Sequence, residues 1–70
     1  MDVRRRLASN MKRLRKERGL SQEALAHAAG VDRTYISGIE RLVRNPTIVA
    51  VDKIAVALEV SLGDLLDQPS

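Results

Sequence analysis

The chain has 70 residues, a length that suits one domain burying roughly 60% of the surface that its unfolded chain would expose. Hydrophobic residues make up 44% of it and aromatic residues only 1%, and the absence of Cys excludes disulfides, thiolate metal sites and a cysteine nucleophile. The formal net charge of +3 is divided unevenly, with eleven Lys and Arg against five Asp and Glu in residues 1–45 but one against four in residues 46–70, which would turn one side of the molecule toward a polyanion.

The first predicted helix runs from about Val3 to Arg18. Leu7, Met11 and Leu14 form its apolar stripe, and basic residues occupy much of the remaining surface. The run Arg4–Arg6 is not followed by the apolar stretch of a signal peptide, and no apolar run reaches the roughly 18 residues of a membrane span. We therefore expect a cytoplasmic protein that is not embedded in a membrane.

Residues 21–41 predict two short helices hinged at Gly30, the arrangement of a helix-turn-helix. Ser21 and Asp32 are predicted N-caps, whose side chains accept backbone N–H groups of the helices that follow them. Gly30 supplies the positive φ that ends the first of the two helices. Both helices can pack on a single core, through the apolar residues Leu25, Ala26, Ala29, Val31, Ile36 and Ile39.

The second helix of this motif presents hydrogen-bonding and small side chains on its predicted outward face. These residues are Arg33, Thr34, Ser37, Gly38 and Arg41. Such side chains suit base edges and phosphates, so the motif points to DNA.

Two further helices are predicted after the loop that Pro46 imposes. Thr47 caps the fourth helix, which runs to about Glu59. Ser61 and Asp64 form a predicted capping box for a short fifth helix, which Pro69 ends. The inward stripe of the fourth helix consists of Val51, Ile54, Ala55 and Leu58.

More apolar residues remain in this region than one core face can use. They are Val49, Val56, Val60, Leu62 and Leu66. Because a lone domain rarely exposes so many, helices four and five at residues 47–67 are predicted to form a homodimer interface. The whole chain, residues 1–70, is thus predicted to be one compact all-α domain of five helices.

Three segments resemble one known family in order and spacing: Leu14–Ala26, Val31–Arg41 and Arg44–Pro46. They are similar to the phage-repressor or Cro-like helix-turn-helix family, also called the XRE family, and the resemblance extends from Leu7 to Leu66. Asp32–Arg41 is also similar to the recognition helix of controller proteins from bacterial restriction–modification systems. The resemblance implies a repressor-like DNA-binding fold.

The resemblance also implies roles for individual residues. Arg33, Thr34 and Ser37 would contact bases. The DNA backbone would be bound by Gln22, Tyr35, Arg41, Arg44 and Asn45. For Tyr35, packing of its ring on helix one or two is an equal alternative. Arg15 on helix one and Glu40 at the end of helix three would form a partly buried ion pair.

One departure from the family pattern concerns the end of the recognition helix. Most relatives place a glycine directly after the Glu-Arg pair, whereas this chain has Leu42. The cap geometry and the path of the loop that carries Arg44 therefore stay open at this point.

The predicted function is sequence-specific binding of double-stranded DNA by a transcriptional regulator. As a homodimer it would occupy a palindromic operator with recognition helices about one DNA turn, roughly 34 Å, apart. RNA polymerase is a further candidate partner. No cofactor, metal or small-molecule ligand is expected. With His27 as the single histidine and no Cys, the sequence offers no nucleophile–base pair or metal cluster, so an enzyme is not expected.

Two other classes of function use the same features. An antitoxin or a helical protein-interaction module could be built on this fold and bind a protein instead of an operator. A basic amphipathic helix could lie on an anionic membrane, but Leu7, Met11 and Leu14 are needed in the core. Duplex DNA binding that weakens steeply with salt would favour the regulator.

Overall fold

The computed structural model describes residues 2–68, which form five α-helices. These are α1 (Val3–Glu17), α2 (Gln22–Ala29), α3 (Arg33–Glu40), α4 (Ile48–Leu58) and α5 (Leu62–Leu66). The prediction of an all-α domain with α2 and α3 as the helix-turn-helix is confirmed. The predicted helix end at Pro69 lies outside the described residues. No helix within residues 2–68 combines the length and the apolar character needed to cross a membrane.

Side chains cap most of the helix starts. The predicted caps Ser21, Thr47 and Ser61 each accept a backbone N–H three residues on, and Ser61 completes the predicted capping box with Asp64. Asp32 occupies the N-cap position of α3, but the prediction of a side-chain cap was wrong, because its carboxylate makes no capping hydrogen bond. Asp32 is exposed, so water can satisfy the first N–H groups of α3 instead.

The core lies where the five helices meet. Helix α1 packs against α3 and α5, α2 packs against α3 and α4, and α4 also contacts α5. The most deeply buried large side chains are aliphatic or contain sulfur: Met11, Leu25, Ile36, Ile39, Ile54, Leu58 and Leu65. This packing fixes α3 against α1 and α2 and leaves its opposite face free.

Asn10, a buried polar residue with no role in the predictions from sequence, connects α1 to the end of α5. Asn10 is 1% exposed, and its Nδ2 donates to the carbonyl oxygens of Leu65 at 2.9 Å and Asp67 at 2.7 Å. These carbonyls belong to the C-terminal end of α5, where helix geometry leaves acceptors unpaired. Asn10 therefore attaches the short helix α5 to α1.

Four helices end in the left-handed conformation, at Gly19, Gly30, Leu42 and Glu59, and two of them do so without glycine. Gly30 has φ 71°, as predicted, but Leu42 has φ 64° and Glu59 has φ 59°. After α3, the N–H of Val43 donates to the Gly38 carbonyl at 2.9 Å, the bond of a glycine-type helix end. Leu42 thus preserves the turn that its side chain disfavours, and the loop folds back toward α3.

Replacing Glu59 should relieve strain of this kind. A left-handed residue with a Cβ costs about 1–2 kcal/mol relative to a right-handed one, and Glu59 is exposed. We expect Glu59→Gly to raise the free energy of unfolding by roughly 1 kcal/mol, measured by urea titration with circular dichroism. Glu59→Ala is the matched control, because it also removes the carboxylate from the helix C-terminus but keeps the Cβ. Equal stability of the two variants would show that the backbone conformation is not the source.

Candidate nucleic-acid interface

The face of α3 that points away from the core is polar. Arg33 and Thr34 are exposed in its first turn, Arg41 is exposed at its C-cap, and Ser37 is half-buried between them. At 100° per residue, positions 34, 37 and 41 lie on one side of the helix, opposite Ile36 and Ile39. Thr34 and Ser37 therefore share one accessible surface, and the exposed Arg33 lies at its edge, about 100° around the helix from Thr34.

Gly38 does not belong to this exposed surface, and its predicted outward exposure was wrong. The residue is buried because the Arg44 side chain lies across it. The loop after α3 turns back over the helix at Leu42, a path that the sequence pattern did not specify.

One edge of the exposed face is formed with the start of α2. Gln22 and Arg33 line a common open cleft together with Ser21, Glu23 and His27. The Gln22 Nε2 donates to Glu40 Oε1 at 3.1 Å. This bond ties the first residue of α2 to the last residue of α3 and orients the amide at the edge of the cleft.

Beneath this edge lies an ion pair between α1 and α3. Arg15 Nε donates to Glu40 Oε2 at 2.9 Å and Arg15 Nη2 donates to Glu40 Oε1 at 3.1 Å, while Nη1 donates to the Leu20 carbonyl at 2.9 Å. The side chains are 10% and 4% exposed. Two parallel bonds of a guanidinium to a carboxylate are the strong, directional form of this interaction. The pair fixes the end of α3 against α1.

The other edge of the exposed face is formed by Tyr35 and the loop after α3. The Tyr35 ring is half-buried against the core, and its hydroxyl accepts the Thr47 N–H at 3.3 Å. The guanidinium carbon of Arg44 lies 4.9 Å from the centroid of this ring, within the range of a cation–π interaction. The Tyr35 ring therefore packs on the core, and its hydroxyl group is bonded to the start of α4 and not to α1 or α2.

Asn45 extends this edge toward α1. Its Oδ1 accepts a hydrogen bond from Arg4 Nη1 at 3.4 Å, so the structure adds Arg4 to the basic residues near the predicted backbone contacts. Arg4 also bonds the exposed Asp2 through its side chain and its backbone N–H, and these hydrogen bonds lower the pKa of the Asp2 carboxyl. The sequence showed the basic run but gave no signal for the contact with Asn45.

The five predicted interface residues do not form a single patch of equal exposure. Val49 and Val56 are 63% and 70% exposed and lie two turns apart on α4. Val60, Leu62 and Leu66 are half-buried and pack partly on the core of their own domain. In particular, Leu66 lines a groove with Val3, Leu7, Asn45, Pro46, Ile48 and Val51, a lining that includes neither Val49 nor Val56. The short helix α5 folds over α1, which uses part of the apolar surface that the pattern left over.

Comparison with known proteins agrees with this geometry. The helix-turn-helix family model HTH_3 matches residues 11–65, which include α2 and α3 entirely. The chain belongs to this helix-turn-helix family. The resemblance to XRE-type proteins is thereby confirmed. Within residues 2–68, no group of three or more His, Asp or Glu side chains is arranged to hold a metal ion.

Members of this family that resemble the chain include transcriptional regulators and restriction–modification controller proteins. It is 42% identical over 66 residues to an uncharacterized HTH-type transcriptional regulator of Sinorhizobium fredii, a match that covers 94% of this chain and 86% of that protein. The crystal structure of a hypothetical transcription factor from Neisseria superposes with a TM-score of 0.94 at 44% identity, over 97% of this chain and 78% of the other. The restriction–modification controller protein C.AhdI from Aeromonas hydrophila gives a TM-score of 0.85 at 39% identity, over 89% and 94% of the two chains.

Proposed function

We propose that this helix-turn-helix protein is a sequence-specific transcriptional regulator that binds a palindromic operator in double-stranded DNA as a homodimer. The observation that carries the proposal is the exposed polar face of α3, which is bordered on both edges by side chains able to bind phosphate. An α-helix fits the major groove of B-DNA, where Arg and Thr can distinguish base pairs. The similarity to C.AhdI and to the control protein C.MunI supports a role as a restriction–modification controller.

The proposed roles of the individual residues depend on where they lie relative to α3. Arg33, Thr34 and Ser37 are proposed to contact bases, because they lie on the accessible face of the helix. The proposed backbone contacts are Gln22 on one edge, Tyr35, Arg44 and Asn45 on the other, and Arg41 at the end of the helix. Contacts of the second kind supply affinity and register but carry no sequence information. The proposal has three further parts. The protein is not an enzyme, it is located in the cytoplasm, and it contacts RNA polymerase.

Selection of bound duplexes from a random DNA pool tests the proposal directly. The expected motif is an inverted repeat whose half-sites are about one helical turn, roughly 34 Å, apart. Binding should weaken steeply as salt rises, since each neutralised phosphate contributes about 0.9 to the slope of log affinity against log salt. A pool without enrichment would overturn sequence-specific binding, and an enriched motif without symmetry would overturn the palindromic operator.

The proposed dimer interface is centred on Val49 and Val56. Both point away from the core of their own domain, and full burial of a valine contributes about 1.5 kcal/mol or more. Val60 and Leu62 are kept as half-buried members of the proposed interface, and Leu66 only as a peripheral contact, because it lines a separate groove. Dimerisation through α4 leaves the cationic part of the chain free for DNA, which agrees with the uneven charge distribution.

Sedimentation equilibrium over a concentration series checks this interface. We expect the wild-type chain to dimerise and Val56→Glu to shift it to monomer, because the charge would have to be desolvated in the interface. Ser9→Glu, which adds the same charge at an exposed position of α1, should leave the dimer intact. A wild-type chain that stays monomeric at high micromolar concentration, or a dimer that tolerates Val56→Glu, would refute the interface.

A second candidate function is protein recognition. One solved structure that matches this chain, at 41% identity over 89% of its length, is a complex of SinR with another protein, SinI. The exposed valines of α4 would then bind a different protein. In that case Val56→Glu would abolish a hetero-complex without changing the oligomeric state of the free chain, and affinity capture would recover that partner whether or not DNA is present.

A further inference from the structure

Gly38 is a glycine inside a short helix, where glycine is less stable than alanine. It is the sixth of the eight residues of α3. The positive-φ glycines within residues 2–68 are Gly19 and Gly30, so Gly38 is not required by an unusual backbone conformation. The explanation for a glycine at this position therefore lies in the space that a side chain would occupy.

That space is filled by Arg44. A Cβ added to Gly38 would lie 3.2 Å from the Arg44 Cβ, 3.7 Å from its Nε and 3.8 Å from its Cδ. The first distance is shorter than ordinary van der Waals contact. The stem of Arg44 therefore rests directly on the backbone of α3, and its guanidinium continues over the ring of Tyr35, 4.9 Å from the centroid.

The loop that carries Arg44 is attached to α3 on both sides of it. Before Arg44, the Val43 N–H donates to the Gly38 carbonyl at 2.9 Å and the Leu42 N–H donates to the Ile39 carbonyl at 3.1 Å. After it, the Thr47 N–H donates to the Tyr35 hydroxyl at 3.3 Å. The Arg44 Cβ moves only with the loop backbone, so relief of the 3.2 Å contact would shift the loop at Arg44 by a few tenths of an ångström, against the hydrogen bonds that hold both of its ends. The whole Arg44 side chain would be displaced with it.

We propose that Gly38 is a positioning residue that seats Arg44 against the recognition helix and holds its guanidinium at the edge of the DNA-binding face. An arginine side chain has large rotamer entropy, so one that is already ordered loses less on binding a phosphate. Glycine at position 38 thus lowers the stability of α3 but keeps Arg44 ordered for its contact with the DNA backbone. The inference rests on the proposed DNA binding and specifies how one of its phosphate contacts is held in place.

The first test needs no DNA. Tyr35 is the single aromatic residue of the chain, so the near-ultraviolet circular dichroism of the protein arises from it alone. We expect Gly38→Ala to change this signal in the same direction as Arg44→Ala. An unchanged tyrosine signal in Gly38→Ala, alongside a changed one in Arg44→Ala, would refute the positioning role of Gly38.

The second test measures binding to the selected operator duplex at several salt concentrations. Arg44→Ala should reduce the slope of log affinity against log salt by about 0.9 for each protomer bound. Gly38→Ala should reproduce at least half of that reduction, and adding it to Arg44→Ala should have no further effect. Alternatively, the new Cβ could collide with DNA directly. Gly38→Ala would then weaken binding as much in the Arg44→Ala background as in the wild type, and this result would also refute the positioning role.

The outcomes separate the inference from the function on which it rests. If the wild-type chain bound no duplex, the proposed function would fail. If Arg44→Ala left the salt slope unchanged, Arg44 would be no backbone contact and the positioning role of Gly38 would fail with it. If Arg44→Ala reduced the slope and Gly38→Ala did not, the positioning role alone would fail.

Discussion

Glu40→Ala is expected to lower the free energy of unfolding by about 3–5 kcal/mol, because it strands the buried guanidinium of Arg15 without its carboxylate. Arg15 is only 10% exposed and donates two hydrogen bonds to Glu40, and Gln22 donates a third. A domain of this length has a total stability of only about 3.5–10 kcal/mol. Urea unfolding followed by circular dichroism should therefore show a domain close to the limit of folding.

An exposed ion pair in the same chain provides the matched control. Glu17 pairs with Arg13 at 3.4 Å, with both side chains more than half exposed, so Glu17→Ala should change stability by about 0–1 kcal/mol. The double variant Arg15→Met with Glu40→Leu should be more stable than Glu40→Ala, since it leaves no stranded charge. A loss below about 1 kcal/mol in Glu40→Ala would place the Arg15–Glu40 pair in the class of surface pairs.

Much of the helical framework could be predicted because its signals are local. Ser21, Thr47 and Ser61 cap helices through bonds that span three residues, and Gly30 ends α2 through its own φ. These signals depend on few neighbours, so a single sequence contains them. Asp32 shows the limit of this reasoning, because it holds the cap position without the side-chain bond that its residue type predicts.

The other errors concern contacts between a helix and a segment outside it. Asn10 was missed because its acceptors, the carbonyls of Leu65 and Asp67, are reached only when α5 folds over α1. Gly38 was assigned to the exposed face because helical periodicity describes α3 alone and contains no information on the loop that covers it. That loop follows its path because Leu42 adopts a conformation typical of glycine.

Three positions at the proposed DNA interface depart from the local rules of helix stability. Gly38 weakens α3, Leu42 is held in a left-handed turn, and Arg33 places a positive charge at the helix N-terminus, where the macrodipole disfavours cations by about 0.3–1 kcal/mol. Local rules of stability are commonly violated at functional sites. A left-handed residue with a side chain also occurs at Glu59, away from this face, so the argument from these violations rests on Gly38 and Arg33.

Arg33→Ala is expected to have the largest effect on DNA binding. A bidentate contact between arginine and guanine contributes about 1–3 kcal/mol of discrimination, and a dimer on a palindrome makes it twice. The affinity for the selected operator should thus fall by about 2–6 kcal/mol, from roughly 30-fold to more than 10⁴-fold. Because the macrodipole disfavours Arg33 where it lies, the free energy of unfolding should stay the same or rise slightly.

Repeating the selection from a random pool with Arg33→Ala identifies the kind of contact. The variant should lose its preference at one base position in each half-site while the other positions keep theirs. Arg13→Ala is the control for the loss of charge, because Arg13 is exposed on α1 and pairs there with Glu17, and it should leave the motif unchanged. If Arg33→Ala weakened every duplex to the same extent, Arg33 would bind phosphate, and base recognition would have to come from Thr34 and Ser37.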